Sequence, residues 1–155
     1  MLAELHWRSA EAAYGVIFPP EAPQPSLDRL RSLWMSWLEP GEAAGLTGFI
    51  AEDAGEPVGV VLAGPDSLDA SVGHLARMYV VPDRWGHGIG RALYLAATGH
   101  LRATGHRKGS LWVLEANLRA RSWYERMGWM PTGERKTAYA PASIDELRYW
   151  KVLSD

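Results

Sequence analysis

Cysteine is absent from the 155 residues, which removes a disulfide scaffold. No apolar run approaches the ~18–20 residues needed to cross a bilayer. At the start of the chain, Glu4, His6 and Arg8 interrupt the apolar stretch that a secretory signal would need. Internal repeats, low-complexity tracts and linkers are missing as well. With 47% hydrophobic and 22% charged residues, neither a disordered tail nor a collagen-like repeat fits. What is left is a single cytoplasmic domain spanning residues 1–155, large enough to bury a real core and working as an enzyme or a binding module.

Tryptophan, by contrast, is abundant, at eight residues. The net charge of −2 hides an uneven distribution. Residues 1–83 hold 4 Lys/Arg and 12 Asp/Glu, a balance of −8, residues 84–135 hold 9 and 3, a balance of +6, and residues 136–155 hold 3 of each. An acidic half followed by a basic segment can mark an anionic ligand site, although short windows also scatter charge by chance.

Apolar spacing predicts a helix from Leu2 to about Tyr14 and a second one capped by Ser26, with Leu27, Leu30, Leu33, Trp34, Trp37 and Leu38 on one face. Pro19, Pro20, Pro23 and Pro25 separate the two, and Pro40-Gly41 ends the second. Gly48–Glu52 and Val58–Leu62 read as a hairpin around a turn at residues 53–57, and Val72–Val81 as a third strand stopped by Pro82. A helix follows from Arg91 to about Thr104, closed by Gly105, then a strand at Ser110–Leu114. Asn117 opens a helix through Met127, and strands at Trp129–Glu134 and Leu147–Val152 complete a mixed α/β chain.

Between the third strand and its helix lies Gly86-His87-Gly88-Ile89-Gly90. Glycines allow a sharp turn and close approach of a ligand to the main chain. The N–H groups of the loop and first helical turn then converge where the helix dipole favours an anion, so a phosphate or pyrophosphate is the natural occupant. A helix entrance that merely needs flexibility would look the same. No Gly-Lys-Ser/Thr is present for a P-loop. A dinucleotide fingerprint lacks its third glycine, since Arg91 stands there, yet Glu115 ends the next strand roughly where a ribose-binding acid would sit. A dinucleotide-binding protein is therefore the alternative.

Two segments resemble the GNAT superfamily of N-acetyltransferases. Leu75–Pro82 followed by Trp85-Gly86-His87-Gly88-Ile89-Gly90-Arg91-Ala92-Leu93 looks like that family's acetyl-CoA motif. Leu111, Val113, Asn117, Ala120, Trp123-Tyr124-Glu125-Arg126 and Gly128-Trp129 look like the next one. Both occur in order and at the right spacing. The resemblance implies a GNAT-like fold, a mixed, mostly antiparallel central sheet flanked by helices. The family's first strand is short or missing here, an edge that a homodimer could cover. Trp85 stands where the family most often has Gln or Arg.

The same resemblance implies acetyl-CoA as co-substrate and a small-molecule or peptide amine as acceptor, attacked directly, with no nucleic acid and no membrane as partner. Trp85, Gly86, His87, Gly88, Ile89, Gly90 and Arg91 would bind the pyrophosphate. Met78, Tyr79 and Val80 would pair their backbone with the pantetheine arm, an N–H near Val80 polarising the thioester carbonyl. Asn117 would contact the same arm while capping its helix, and Tyr124 would protonate the departing thiolate unless it is simply a core tyrosine. His74 matches the family's base position and Glu115 competes with it. Tyr14, Trp34, Trp37 and Tyr139 are candidate acceptor walls, and the −8 half suggests a cationic amine. A non-catalytic acyl-CoA-binding module is the other alternative. His6, His100 and His106 show no ligand spacing, so no metal site is expected.

Overall fold

Proline, glycine and a few caps set the element boundaries. The computed structural model describes residues 1–20, 25–38, 45–139 and 143–153. Helices α1 (Leu2–Tyr14) and α2 (Leu27–Leu38) lie where the spacing predicts them, and Ser26 Oγ accepts the Arg29 N–H at 3.3 Å. The expected stops at Pro23 and Pro40-Gly41 fall outside the described residues. Strands β1 (Thr47–Asp53) and β2 (Glu56–Pro65) form the hairpin, whose turn residues Ala54 and Gly55 both have positive φ, the requirement of a tight two-residue turn. Then come β3 (Gly73–Val80), a 3₁₀ turn at Pro82–Arg84, α3 (Ile89–Ala103), β4 (Lys108–Leu114) and α4 (Leu118–Arg126). The last pair, β5 (Met130–Tyr139) and β6 (Ile144–Val152), runs longer than hydrophobic alternation predicts. Its extra length is polar and held by cross-strand partners such as Lys136 opposite Glu146 and Thr137 opposite Asp145.

The six strands form one sheet in the order β1-β2-β3-β4-β6-β5. Every pairing is antiparallel except β3–β4. This is the mixed, mostly antiparallel sheet expected, and it argues against the dinucleotide alternative, whose fold needs a parallel sheet. Among the described residues β1 lies at one edge of the sheet and β5 at the other. No helix among them is long and apolar enough to cross a membrane.

Both faces of the sheet are covered. On one, Leu93, Ala97 and Leu101 of α3 pack with Val61 of β2, Leu111 of β4 and Trp129, and Trp123 and Tyr124 of α4 join them. On the other, Val60 and Leu62 meet Leu5 of α1 with Leu30 and Trp34 of α2. Alternate residues of β2 thus enter opposite cores, which is why that strand reads as an unbroken apolar run.

One irregularity positions the site. The β3–β4 ladder lasts only from Gly73–Leu75 against Gly109–Leu111. Across from it, Leu62 pairs with Arg77 and Ala63 with Leu75, leaving Ala76 as an extra residue in β3. Such a bulge bends its strand, and beyond it β3 and β4 part.

Candidate active site

The parted strands open into a cavity of about 700 Å³, closed by α1, the start of α3 and one face of α4. At one end lies the glycine loop. Gly86 and Gly88 both have φ of +83°, a left-handed conformation that side-chain-bearing residues enter only with strain. With Gly88 at its N-cap, α3 has no side-chain cap, and its first-turn N–H groups lack intrahelical acceptors by construction. Gly88, Gly90 and Arg91 line the cavity there, joined by Arg119 and Arg126 of α4. Positive dipole end, open N–H groups and guanidinium groups together suit a diphosphate.

Along the middle, β3 offers backbone. Val81 N–H donates to Val58 O at 2.9 Å, so by antiparallel alternation the N–H groups of Met78 and Val80 point away from β2. Strand β4 has already parted, and these two donors face the cavity, where an amide-bearing arm could pair with them. Tyr79 N–H turns the other way, which corrects its expected backbone role. The Val80 carbonyl is taken twice, by Ser9 Oγ at 2.8 Å and by Trp85 Nε1 at 2.7 Å. Trp85 thus straps the loop to the strand, and the Arg119 guanidinium lies 3.9 Å over its ring.

Asn117 caps α4, its Oδ1 accepting the Ala120 N–H at 3.1 Å, and also lines the cavity. Arg121 and Glu125 on the same helix clasp the Tyr149 hydroxyl at 3.1 and 2.8 Å, fixing α4 to β6. Tyr124 projects inward between them, edge-on to Trp123 and Trp129. Its hydroxyl makes no hydrogen bond to any described residue. Burial first, then Tyr14 and Tyr94, pushes the phenol well above its ordinary pKa. Tyr14, also in the lining, is pushed up to about 12 by burial and the Glu146 charge, with Arg77 opposing. The Tyr79 side chain rises for the same reasons, feeling Tyr14, Glu146 and Tyr124. Three phenols that hold their protons therefore share one space.

Several expected residues lie elsewhere. His74 Nδ1 sits 2.8 Å from Ser110 Oγ and 3.6 Å from Asp66, and Ser110 donates to Asp66, which also takes Arg148 at 2.8 Å. That network fills the far end of β3, outside the cavity lining, and burial lowers the His74 pKa against the pull of Asp66. Glu115 is paired with Arg135 at 2.5 Å and does not line the cavity either. His87 is exposed, its Nδ1 3.1 Å from Trp85 O, and Ile89 turns into the core. Trp34 is 3% exposed between α1 and α2, donating to His6 at 3.3 Å, with Trp37 packed on it. Neither reaches the cavity, although Arg77, which does, lies over the Trp37 ring. Tyr139 ends β5, and its side chain lies outside the described residues.

Several lining residues escaped the sequence reading, among them Ser9, Arg77, Trp112, Arg119 and Glu146. Arg119 had a signal, as the second residue of the helix that Asn117 opens. Glu146 had none, for β6 reads as an ordinary strand. Of the acids in the −8 half, no described one lines the cavity. Asp53, Asp83 and Asp28 are instead tied to Arg84, Arg8 and Arg31.

Comparison with known proteins agrees with this geometry. Residues 2–129 match the family described as Acetyltransferase (GNAT) family. A mycothiol acetyltransferase of Thermobispora bispora is 40% identical over 96 residues, which cover 59% of this chain but 31% of that protein. The chain thus spans under a third of that relative's length. A GNAT-family acetyltransferase structure from Desulfovibrio desulfuricans is 26% identical, with a TM-score of 0.72 over 98% of this chain and 92% of that one. The PaiA N-acetyltransferase of Thermoplasma acidophilum, solved with coenzyme A, shares the fold, with 17% identity and a TM-score of 0.73 over 97% and 90%.

Proposed function

Because the chain belongs to the acetyltransferase (GNAT) family, we propose that it moves an acetyl group from acetyl-CoA onto a primary amine of a small molecule or peptide. Acetyl-CoA supplies the acetyl group as an activated thioester. Gly88, Gly90, Arg91 and the first-turn N–H groups of α3 would hold its diphosphate, with Arg119 and Arg126 adding charge. The N–H groups of Met78 and Val80 and the side-chain amide of Asn117 would receive its arm. Tyr124 Oη keeps its proton at neutral pH and gives it to an anion formed beside it. Ser9, the serine in the lining, already commits its proton to the Val80 carbonyl, which favours direct attack by the amine over a covalent relay.

The observation that carries this reading is a proton-holding phenol in the same cavity as an uncapped, glycine-led helix N-terminus. Thiol release over a panel of amines tests it, comparing the wild type with Tyr124→Phe. The variant should lose about 10²-fold or more in kcat while keeping its CoA-induced rise in Tm. Equal turnover removes Tyr124 from the acid role. A Tm raised by CoA with no turnover on any amine favours a binding module, and a Tm raised by NAD(P) alone contradicts the assignment.

A further inference from the structure

The acidic chemistry of the cavity narrows to one side chain. Among the described lining residues Glu146 is the lone carboxylate, set among arginines. It stands on β6 opposite Leu114 of β4 and Lys136 of β5, with its side chain 24% exposed. Lys136 Nζ lies 3.4 Å from Oε2 and is itself held 4.3 Å over the Trp112 ring. No described residue bonds Oε1. The charge reaches both Tyr14 and Tyr79, so Glu146 faces the same space as the phenols. His74 and Glu115, the bases that strand position suggests, are engaged outside it.

A primary alkylamine, with a pKa near ~10, arrives at neutral pH as an ammonium whose nitrogen has no free electron pair. Resting on the acetyl-transfer reading above, the geometry points to Glu146 as the group that binds this ammonium and takes its proton. The N–H bond breaks, its electron pair stays on nitrogen, and the proton bonds to a Glu146 carboxylate oxygen. The Glu146 side chain is 24% exposed, and the proton returns from it to solvent. A carboxylate in this lining gives the acceptor a counter-charge and a proton acceptor, so the acceptor class is a primary alkylammonium rather than an amine that is already neutral.

Glu146→Gln keeps the shape and removes the proton acceptor. Its kcat/KM for an alkylammonium should fall about 10²-fold or more, recovering as the pH climbs toward the amine's own pKa. A weakly basic amine, neutral at the assay pH, should lose far less. Glu146→Asp should restore part of the neutral-pH activity. An unchanged CoA-induced rise in Tm shows that the fold and donor site survive. Equal activity of Gln variant and wild type, equal losses for both amine kinds, or an Asp variant no better than Gln each overturn the assignment. A wild type that binds CoA but acetylates no amine overturns the transferase reading, and this assignment falls with it.

Discussion

His6 shows how much a single side chain carries here. Its ring stacks 3.9 Å from that of Tyr79, and its Nδ1 accepts the Trp34 N–H. Burial, with Arg77 adding to it, pulls its pKa down to about 4. The folded protein therefore holds it neutral, while the unfolded chain takes up a proton near pH 6.5. The resulting stability is present above pH 6.5 and is lost as the pH falls toward 4. Thermal melts from pH 7 to pH 4.5 should show Tm falling, with a shallower fall in His6→Phe. That variant keeps a ring on Tyr79 but strands the Trp34 N–H, at a cost of about 1–3 kcal/mol at neutral pH. Identical slopes in the two proteins would contradict this. The tryptophans divide in a comparable way. Trp37, Trp85, Trp112 and Trp150 each carry a cation over the ring, whereas Trp129 is buried and donates to Tyr94. The place of Tyr124 and Asn117 in the cavity lining was legible in the sequence because both belong to one local motif. Glu146 and the His74 network were not, because both depend on partners from distant strands.

At the scale of elements, the glycine loop separates two demands on one residue type. Gly88 adopts φ of +83°, and a Cβ there meets nothing within 4 Å, so Gly88→Ala suffers backbone strain alone, about 1–2 kcal/mol. Gly90 sits inside α3 without positive φ, and its Cβ would lie 3.9 Å from Val80 Cγ2. Gly90→Ala should therefore raise stability, by up to about 1 kcal/mol from helix propensity, and leave CoA binding close to that of the wild type, since the family's motif takes Gly or Ala at this position. Denaturant midpoints and CoA-induced Tm shifts, measured on both variants, check the pair. A Gly88→Ala protein that binds CoA as well as the wild type would contradict the loop's assignment. Helices α1 and α2 were readable because a 3.6-residue apolar period needs no knowledge of neighbours. The outer halves of β5 and β6 were not, since their polar residues show no period and gain order only from each other.

Across the whole molecule, the charge asymmetry proves to be two different things. The basic segment does gather at the cavity, through Arg84, Arg91, Arg119 and Arg126. None of the described acids of the first half lines the cavity: Asp28, Asp53 and Asp83 pair with arginines at the surface and Asp66 sits in the buried network at the far end of β3, so the carboxylate in the lining comes from the last strand. Summed charge placed the cationic lining in the right segment and the acidic lining in the wrong one. No local pattern announces that two neighbouring strands part after three paired residues. The slot follows from the bulge at Ala76, and bulges arise from pairing rather than from composition.

That slot leaves a mark that isotopes can read. Amides in the middle of a covered sheet ordinarily trade hydrogen for deuterium only when the structure opens. Met78 and Val80 lie in a central strand, yet they face a gap and should trade almost as freely as residues of a loop. Saturating CoA should slow both, while Tyr79 and Val81, bonded across to β2, change far less. An alternating pattern of fast and slow positions along one strand would record, amide by amide, where the sheet was left unfinished for a partner that is not protein.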